Sequence, residues 1–212
     1  MGRPRKGEEI DIPRRAIEAT MRLLDRRDAA AITLAEVAEA IGCRAPALYG
    51  HFANKNALLR AVHDEGFRIL LEEKLAVAAR HGTDWSARLE AGGRAYLHFA
   101  FDRPGLYRLM FAPPPAAGLE ENAFAEDPGL RCLAVLREAI AACRNDGHLG
   151  HADPEHVALT LWAAVHGAAS LALQNRLPTS RGSDPDAAQA VVTTMMAFIR
   201  ATRPRDVSRP TE

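Results

Sequence analysis

A short stretch of the chain gathers side chains suited to a polyanion: Thr33, Arg44, Tyr49, His51 and Lys55. Arg44 offers a planar fork that can bond a guanine edge in a bidentate way or clamp a phosphate, and both uses fit its position. Tyr49 can give its hydroxyl to a phosphate oxygen and Thr33 its hydroxyl or the amide end of its helix, although a helix cap would by itself explain Thr33. His51 can do likewise or stay packed as a structural polar group, and Lys55 is either a phosphate clamp or an ordinary solvated lysine. Between them Ala45, Pro46 and Ala47 are small enough to let a backbone sink into a groove, with Ala47 and Pro46 within reach of a thymine methyl. Ahead of this stretch, Gly2 to Gly7 forms a basic arm. Its Arg3 and Arg5 can follow a minor groove, or the arm is a solubilising terminus.

The elements that must hold these groups are legible around them. Thr33 followed by Glu36 is a capping box, so a helix starts near Leu34. Leu34, Val37, Ala38 and Ile41 recur at the spacing of a buried helical face, and Gly42 ends it as a left-handed residue would. A few residues later Pro46 opens a second, very short helix, where its missing amide proton is not needed. Helices joined so tightly cross steeply, giving a helix-turn-helix whose second helix can enter the roughly 12 Å wide major groove of B-DNA. Pro13 to Arg27, with Ala16, Ile17, Thr20, Met21 and Leu24 in register, predicts a supporting helix before it.

Ala47-Leu48-Tyr49, His51-Phe52 and Asn54-Lys55, followed by Leu58-Leu59, resemble the DNA-binding domain of TetR/AcrR-type transcriptional regulators. The resemblance runs from about Ile10 to Leu70. It implies DNA contacts at Thr33, Arg44, Ala45, Pro46, Ala47, Tyr49, His51 and Lys55. Arg44 departs from the pattern, which often has Ser or Thr there as a cap. Two later segments also resemble the family's sensor domains: PGLYRLMF at 104–111, and the spacing of Trp162, His166 and Gly167, which is similar to a WHG-type C-terminal domain.

Asn54 caps a long helix that His81-Gly82 stops. At about 25 residues it would span roughly 37 Å, enough to link reader and sensor mechanically. Asp84 caps the next helix, from Trp85 to Phe101, which Gly92-Gly93 should interrupt by a kink or a close backbone approach, each Gly costing about 1 kcal/mol. Residues 112–127, with three consecutive prolines, read as a lid or connection. Helices follow over 128–146, from Asp153-Pro154 to about Arg176, and from Asp184-Pro185 onward. The divisions expected are a basic arm at 1–9, the DNA-binding domain at 10–70, a ligand-binding and dimerisation domain at 71–202 and a flexible tail at 203–212.

The apolar breadth of the last two helices, and Ala163, Ala164, Gly167, Ala168 and Ala169 within the first, fit a homodimer through those helices. Completing the monomer core is the alternative. Trp85, Tyr96, Phe99, Tyr107, Met110, Phe111, Trp162 and His166 could line a partly apolar effector pocket, or serve only as core. His148, His151, Asp153 and His156 form the local cluster with metal-ligand chemistry, but loop histidines are common without metal, and neither metal nor cofactor is expected.

At 212 residues, with 27 basic and 27 acidic side chains, the chain carries no overall positive coat. Its charge is uneven: residues 1–60 hold 11 Lys or Arg against 8 Asp or Glu, and the remainder 16 against 19. The basic excess therefore lies with the reader. Three widely spaced cysteines do not make a disulfide framework. Without a signal peptide or an apolar run near 18 to 20 residues, a cytoplasmic protein with no membrane partner is expected. The expectation as a whole is an all-α fold of about nine helices. It describes a transcriptional regulator, most simply a ligand-responsive repressor binding a palindromic double-stranded operator as a homodimer and answering a small-molecule effector. Its rivals are a ligand-independent DNA-binding protein, an activator and, with no catalytic triad or phosphate loop to support it, a helical enzyme.

Overall fold

The computed structural model describes residues 11–113, 128–177 and 184–202. Arg3 and Arg5 of the basic arm, most of the proline-rich connection and the tail lie outside them. The described residues are all-helical: α1 Ile12–Leu24, α2 Leu34–Ala40, α3 Ala45–Tyr49, α4 Lys55–His81, α5 Trp85–Asp102, α6 Pro104–Phe111, α7 Pro128–Asn145, α8 Pro154–Leu173 and α9 Asp184–Ala201. A single 3-10 turn, Ala29–Ala31, precedes α2.

Two compact units divide the chain: Met1–Phe67 with Arg103–Ala125, and Arg68–Asp102 with Glu126–Glu212, each over its described residues. The division passes through α4. It also groups α6, expected in the sensor, with the N-terminal unit.

In the N-terminal unit Asp11 accepts from the Arg14 amide at 3.1 Å and starts α1. The helix stops at Leu24, short of the expected Arg27, where the Arg26 and Arg27 amides both turn back to the Leu23 carbonyl. No apolar side chain lies between Leu24 and Ala29 to pull another turn onto the core. Ala16, Ala19, Leu24, Ile32, Val37, Ala38, Leu48, Leu58, Leu59 and Val62 are buried together. α6 reaches this core because Gly105 has no side chain: a Cβ there would lie 1.9 Å from the Leu24 carbonyl oxygen.

The second unit packs α5, α7, α8 and α9 with the C-terminal part of α4. α5 runs unbroken through Gly92 and Gly93, correcting the expected interruption. The close approach does occur: a Cβ on Gly93 would meet both Val192 methyls at 3.2 Å. An ionic clasp ties α5 to α9, with Arg200 and Arg94 donating to Glu90 at 2.7 and 3.0 Å, and Arg94 also reaching Gln189. Arg200 first, then Arg94, hold the Glu90 carboxyl below its usual range.

α8 departs from expectation in one respect. It is long and apolar enough to cross a membrane by length and composition, with a mean hydropathy of 1.4 over an 18-residue window, and 22% of that window is buried.

Candidate nucleic-acid interface and effector cavity

The capping box forms as its spacing requires. Thr33 Oγ1 accepts from the Glu36 amide at 3.2 Å, and Glu36 Oε2 accepts from the Thr33 amide at 2.9 Å. Arg27 pairs with the other carboxylate oxygen. The Thr33 side chain, then its amide, then Arg27 hold the Glu36 carboxyl below its ordinary value. Thr33 is thus exposed at the first turn of α2, its hydroxyl engaged as a cap.

Gly42, at φ +72°, turns the chain between α2 and α3. α3 has five residues, and one side chain, Leu48, anchors it in the core. Everything else on its outer side is free of the core: Arg44, Pro46, Ala47, Tyr49 and His51 are exposed and Ala45 is half-buried. Tyr49 is 55% exposed, unusual for an aromatic ring unless something covers it. Arg44 occupies the N-cap of α3 with extended backbone but makes no side-chain cap bond, which leaves its guanidinium unused by the helix.

Asn54 Oδ1 accepts from the Ala57 amide at 2.9 Å and caps α4. Lys55 Nζ donates to the Ala30 carbonyl at 2.6 Å, so one of its three protons fixes the ammonium on the 3-10 turn that precedes α2. The arrangement is a set of donors held on one short helix and two helix starts, as phosphate docking requires.

In the other unit lies a cavity of about 80 Å³. Leu89, Val135, Leu136, Leu161, Trp162, Val165, Val191, Val192, Met195 and Met196 make it apolar, while Lys74, Arg88 and Tyr96 bring polar atoms. Tyr96 and Trp162 are the two expected pocket residues that line it. His166 stands just behind, its Nδ1 2.9 Å from the Tyr96 hydroxyl, and burial holds its imidazole below the usual value. The ring is therefore biased towards its neutral form.

The other expected pocket residues do not line this cavity. Trp85 donates to Asp146 at 2.9 Å and lies against the His148 ring. Phe99 is fully buried core. Tyr107, Met110 and Phe111 belong to α6; Phe111 packs edge-on to Phe67, and Met110 covers Gly66. His148, from the suspected metal cluster, is buried with Nδ1 3.2 Å from the Ile199 carbonyl, a structural role.

A family model for the C-terminal domain of tetracyclin repressor-like proteins matches residues 89–199, and one for bacterial regulatory proteins of the tetR family matches 16–62. The chain belongs to the TetR family. Among its relatives, an uncharacterised HTH-type transcriptional regulator of Mycobacterium tuberculosis is 27% identical over 174 residues, covering 78% of this chain and 76% of that one. The class A tetracycline repressor from transposon 1721 in Escherichia coli is 33% identical over 136 residues, covering 58% and 61%. A solved structure, a protein of unknown function from Rhodococcus sp. RHA1, superposes with a TM-score of 0.75 at 22% identity over 92% of this chain and 99% of the other. That likeness shows the fold.

This TetR-family chain is thus a transcriptional regulator whose N-terminal domain binds DNA. Two polar residues of its cavity escape sequence reading that looks for aromatics. Lys74 falls four residues after Leu70 and four before Ala78, and Arg88 four before Gly92, so both share the inward stripe of their helices. A cation on an apolar stripe was the available signal.

Proposed function

We propose that the protein is a ligand-responsive repressor that binds a palindromic operator as a homodimer, with an effector in the apolar cavity. The observation that carries this reading is α4: one helix, Lys55–His81, begins at Lys55, whose ammonium is held by the Ala30 carbonyl, and carries Lys74 and Ala78 near its end in the cavity wall. Occupying the cavity biases α4, and with it the reader. By linkage, operator DNA opposes an inducing ligand to the same extent.

At the interface Arg44 reads or clamps, Tyr49 gives its hydroxyl to phosphate, the helix start at Thr33 gives its free amides, Lys55 gives its remaining protons, and Ala45, Pro46 and Ala47 allow close approach. His51 adds a phosphate donor. Arg3 and Arg5 add contacts from the arm. A five-residue recognition helix buries little, so one copy binds weakly and symmetry must supply the rest.

The surface for the second copy is α8 with α9. Leu159, Ala163, Gly167 and Leu171 succeed one another at four-residue spacing on α8; Leu159 is 56% exposed, Leu171 43%, and a Cβ on Gly167 would meet nothing within 4 Å. Phe198 on α9, which packs beside α8, is 65% exposed. Such a ridge of small and apolar side chains suits a close helix-helix contact between copies.

Selecting bound duplexes from a random pool tests the reading. It should return a two-fold symmetric site whose complex dissociates with an effector. Binding indifferent to sequence, with a steep salt slope, would instead favour a ligand-independent DNA-coating protein.

A further inference from the structure

The cavity that the proposed function assigns to the effector is lined by two cations, Lys74 and Arg88, that the described residues satisfy only in part. Lys74 lines it, with its ammonium 5.8 Å from the centroid of the Tyr96 ring. Among the described residues no carboxylate pairs with it. Burial pushes its pKa below the ordinary lysine value of 10.5, and Cys132 opposes that shift. Arg88 is the second. Its Nη2 lies 3.9 Å from the largely exposed Glu138, but its Nε is buried and has no hydrogen-bond partner, alone in this among the described buried side-chain nitrogens and oxygens.

A buried donor without an acceptor is costly, and an orphaned Arg88 Nε beside a half-buried lysine at one apolar cavity is not how a plain core is built. A purely apolar ligand would leave both unsatisfied and remove what water reaches them. A cationic ligand would be repelled. The other ionisable groups nearby supply no carboxylate: Cys132, which interacts with Lys74, is a buried thiol, Tyr96 and the neutral-biased His166 already bond each other, and the α9 wall, Val191, Val192, Met195 and Met196, carries no charge.

We infer that the effector is an organic acid, a carboxylate carrying a small hydrocarbon group, with its oxygens taken by Lys74 and Arg88 and its hydrocarbon part by the α7, α8 and α9 side chains. The inference rests on the proposal that this cavity is the effector site. Its size sets the hydrocarbon part: an engineered apolar cavity of about 150 Å³ accepts benzene, so about 80 Å³ takes a smaller group or requires the walls to give. Met195 and Met196, unbranched and flexible, are the side chains able to do so. Gly92, with nothing within 4 Å of its missing Cβ, leaves the α5 wall open between Arg88 and Tyr96.

The test uses the full-length protein and two isosteric pairs, hexanoate with hexanamide and benzoate with benzamide, whose members differ mainly in charge. Calorimetry should show at least one carboxylate bound about tenfold or more tightly than its amide, as charge-assisted hydrogen bonds imply. Lys74→Met and Arg88→Met, each checked for native helicity, should cut that preference to within about threefold. Amides bound as tightly as acids, a preference surviving in both variants, or no binding of either pair at millimolar concentration would each overturn the assignment. Operator release followed in parallel separates the two readings. Release by an amide leaves the regulator reading standing and the charge assignment overturned. Carboxylate binding with no release does the opposite.

Discussion

Replacing Arg44 by Ser should raise stability and lower DNA affinity at once. Arg44 already has N-cap backbone angles, φ −84° and ψ 142°, and its side chain makes no capping bond. A serine hydroxyl there could accept an amide of the first turn. Pro46 has none to give, and the Ala47 amide already turns to the Arg44 carbonyl at 2.9 Å, so the gain lies at the bottom of the capping range, about 0.5 kcal/mol. For a chain of this size that raises the melting temperature by roughly 1 to 2 °C. Against it stands the lost guanidinium. If Arg44 reads guanine, each copy loses about 1 to 3 kcal/mol, and a symmetric dimer loses it twice, roughly 30-fold to 10⁴-fold in affinity. If it clamps phosphate, affinity falls on every sequence and the salt slope drops by about 2 per dimer. Fluorescence anisotropy across a salt series, on the selected operator and on operators changed at one symmetric base pair, separates the two: a reader makes R44S indifferent at that pair, a clamp does not. Unchanged affinity and unchanged salt slope would show that the start of α3 does not face DNA, and the interface argued above would be wrong.

Gly105→Ala should cost at least about 1 to 3 kcal/mol, because the new Cβ meets backbone at 1.9 Å rather than a side chain that can swing away, whereas Gly92→Ala, in open space inside a helix, should gain up to about 1 kcal/mol. Calorimetry on the pair checks this, and a G105A variant as stable as the parent would refute the close approach of α6 to α1. Thr33→Ala removes the cap of α2 and should cost about 1 kcal/mol. It should also flatten the acid limb of stability. Glu36 is held below its ordinary 4.5, so its bonds stabilise the fold above that pH and are lost as pH falls through the lowered value, a loss the variant has already partly taken; an acid limb as steep in T33A as in the parent would count against it. Burial, then Asp146, pushes the Cys143 thiol up to about 11, and Cys132 is buried too, so at pH 8 a thiol reagent should label the half-buried Cys43 alone until the protein is unfolded. Labelling of more than one thiol in the native protein would refute this.

What could be read from the residues was local. The Thr33–Glu36 box, the Pro46 helix start, the Asn54 cap and the stop at Gly82 each act within a turn of the chain, and each is found where its chemistry puts it. Gly92 and Gly93 misled because helix propensity of about 1 kcal/mol per Gly is a weak prior that packing overrides; Val192 fills against Gly93, and the cavity opens at Gly92. The aromatic set misled for another reason. Spacing on a helix says that Phe99, Tyr107 and Phe111 face inward, but what stands opposite depends on which helices pack together, and α6 packs with α1. Lys74 and Arg88 give little sequence signal as cavity residues, because charged side chains ordinarily lie at the surface.

The uncovered ridge of α8 admits two coverings, lipid or a second copy, and the pattern decides between them. A membrane span presents apolar side chains all round, but α8 already buries Ala158, Ala168, Ala169 and Ala172 within this chain and has one side left over. Leu159, Leu171 and the neighbouring Phe198 would each contribute roughly 1.5 to 3 kcal/mol on full burial, and two-fold symmetry counts each twice, roughly 9 to 18 kcal/mol before the cost of association. That cost is about 4 to 15 kcal/mol. The balance is narrow enough that one change should tip it, since a charge placed at a symmetric contact is paid for in both copies. Leu159→Glu should therefore sediment as a folded monomer at micromolar concentration and lose operator affinity, while its isolated DNA-binding face is untouched. A dimer of unchanged operator affinity in that variant would move the interface off α8, and the ridge would need another explanation.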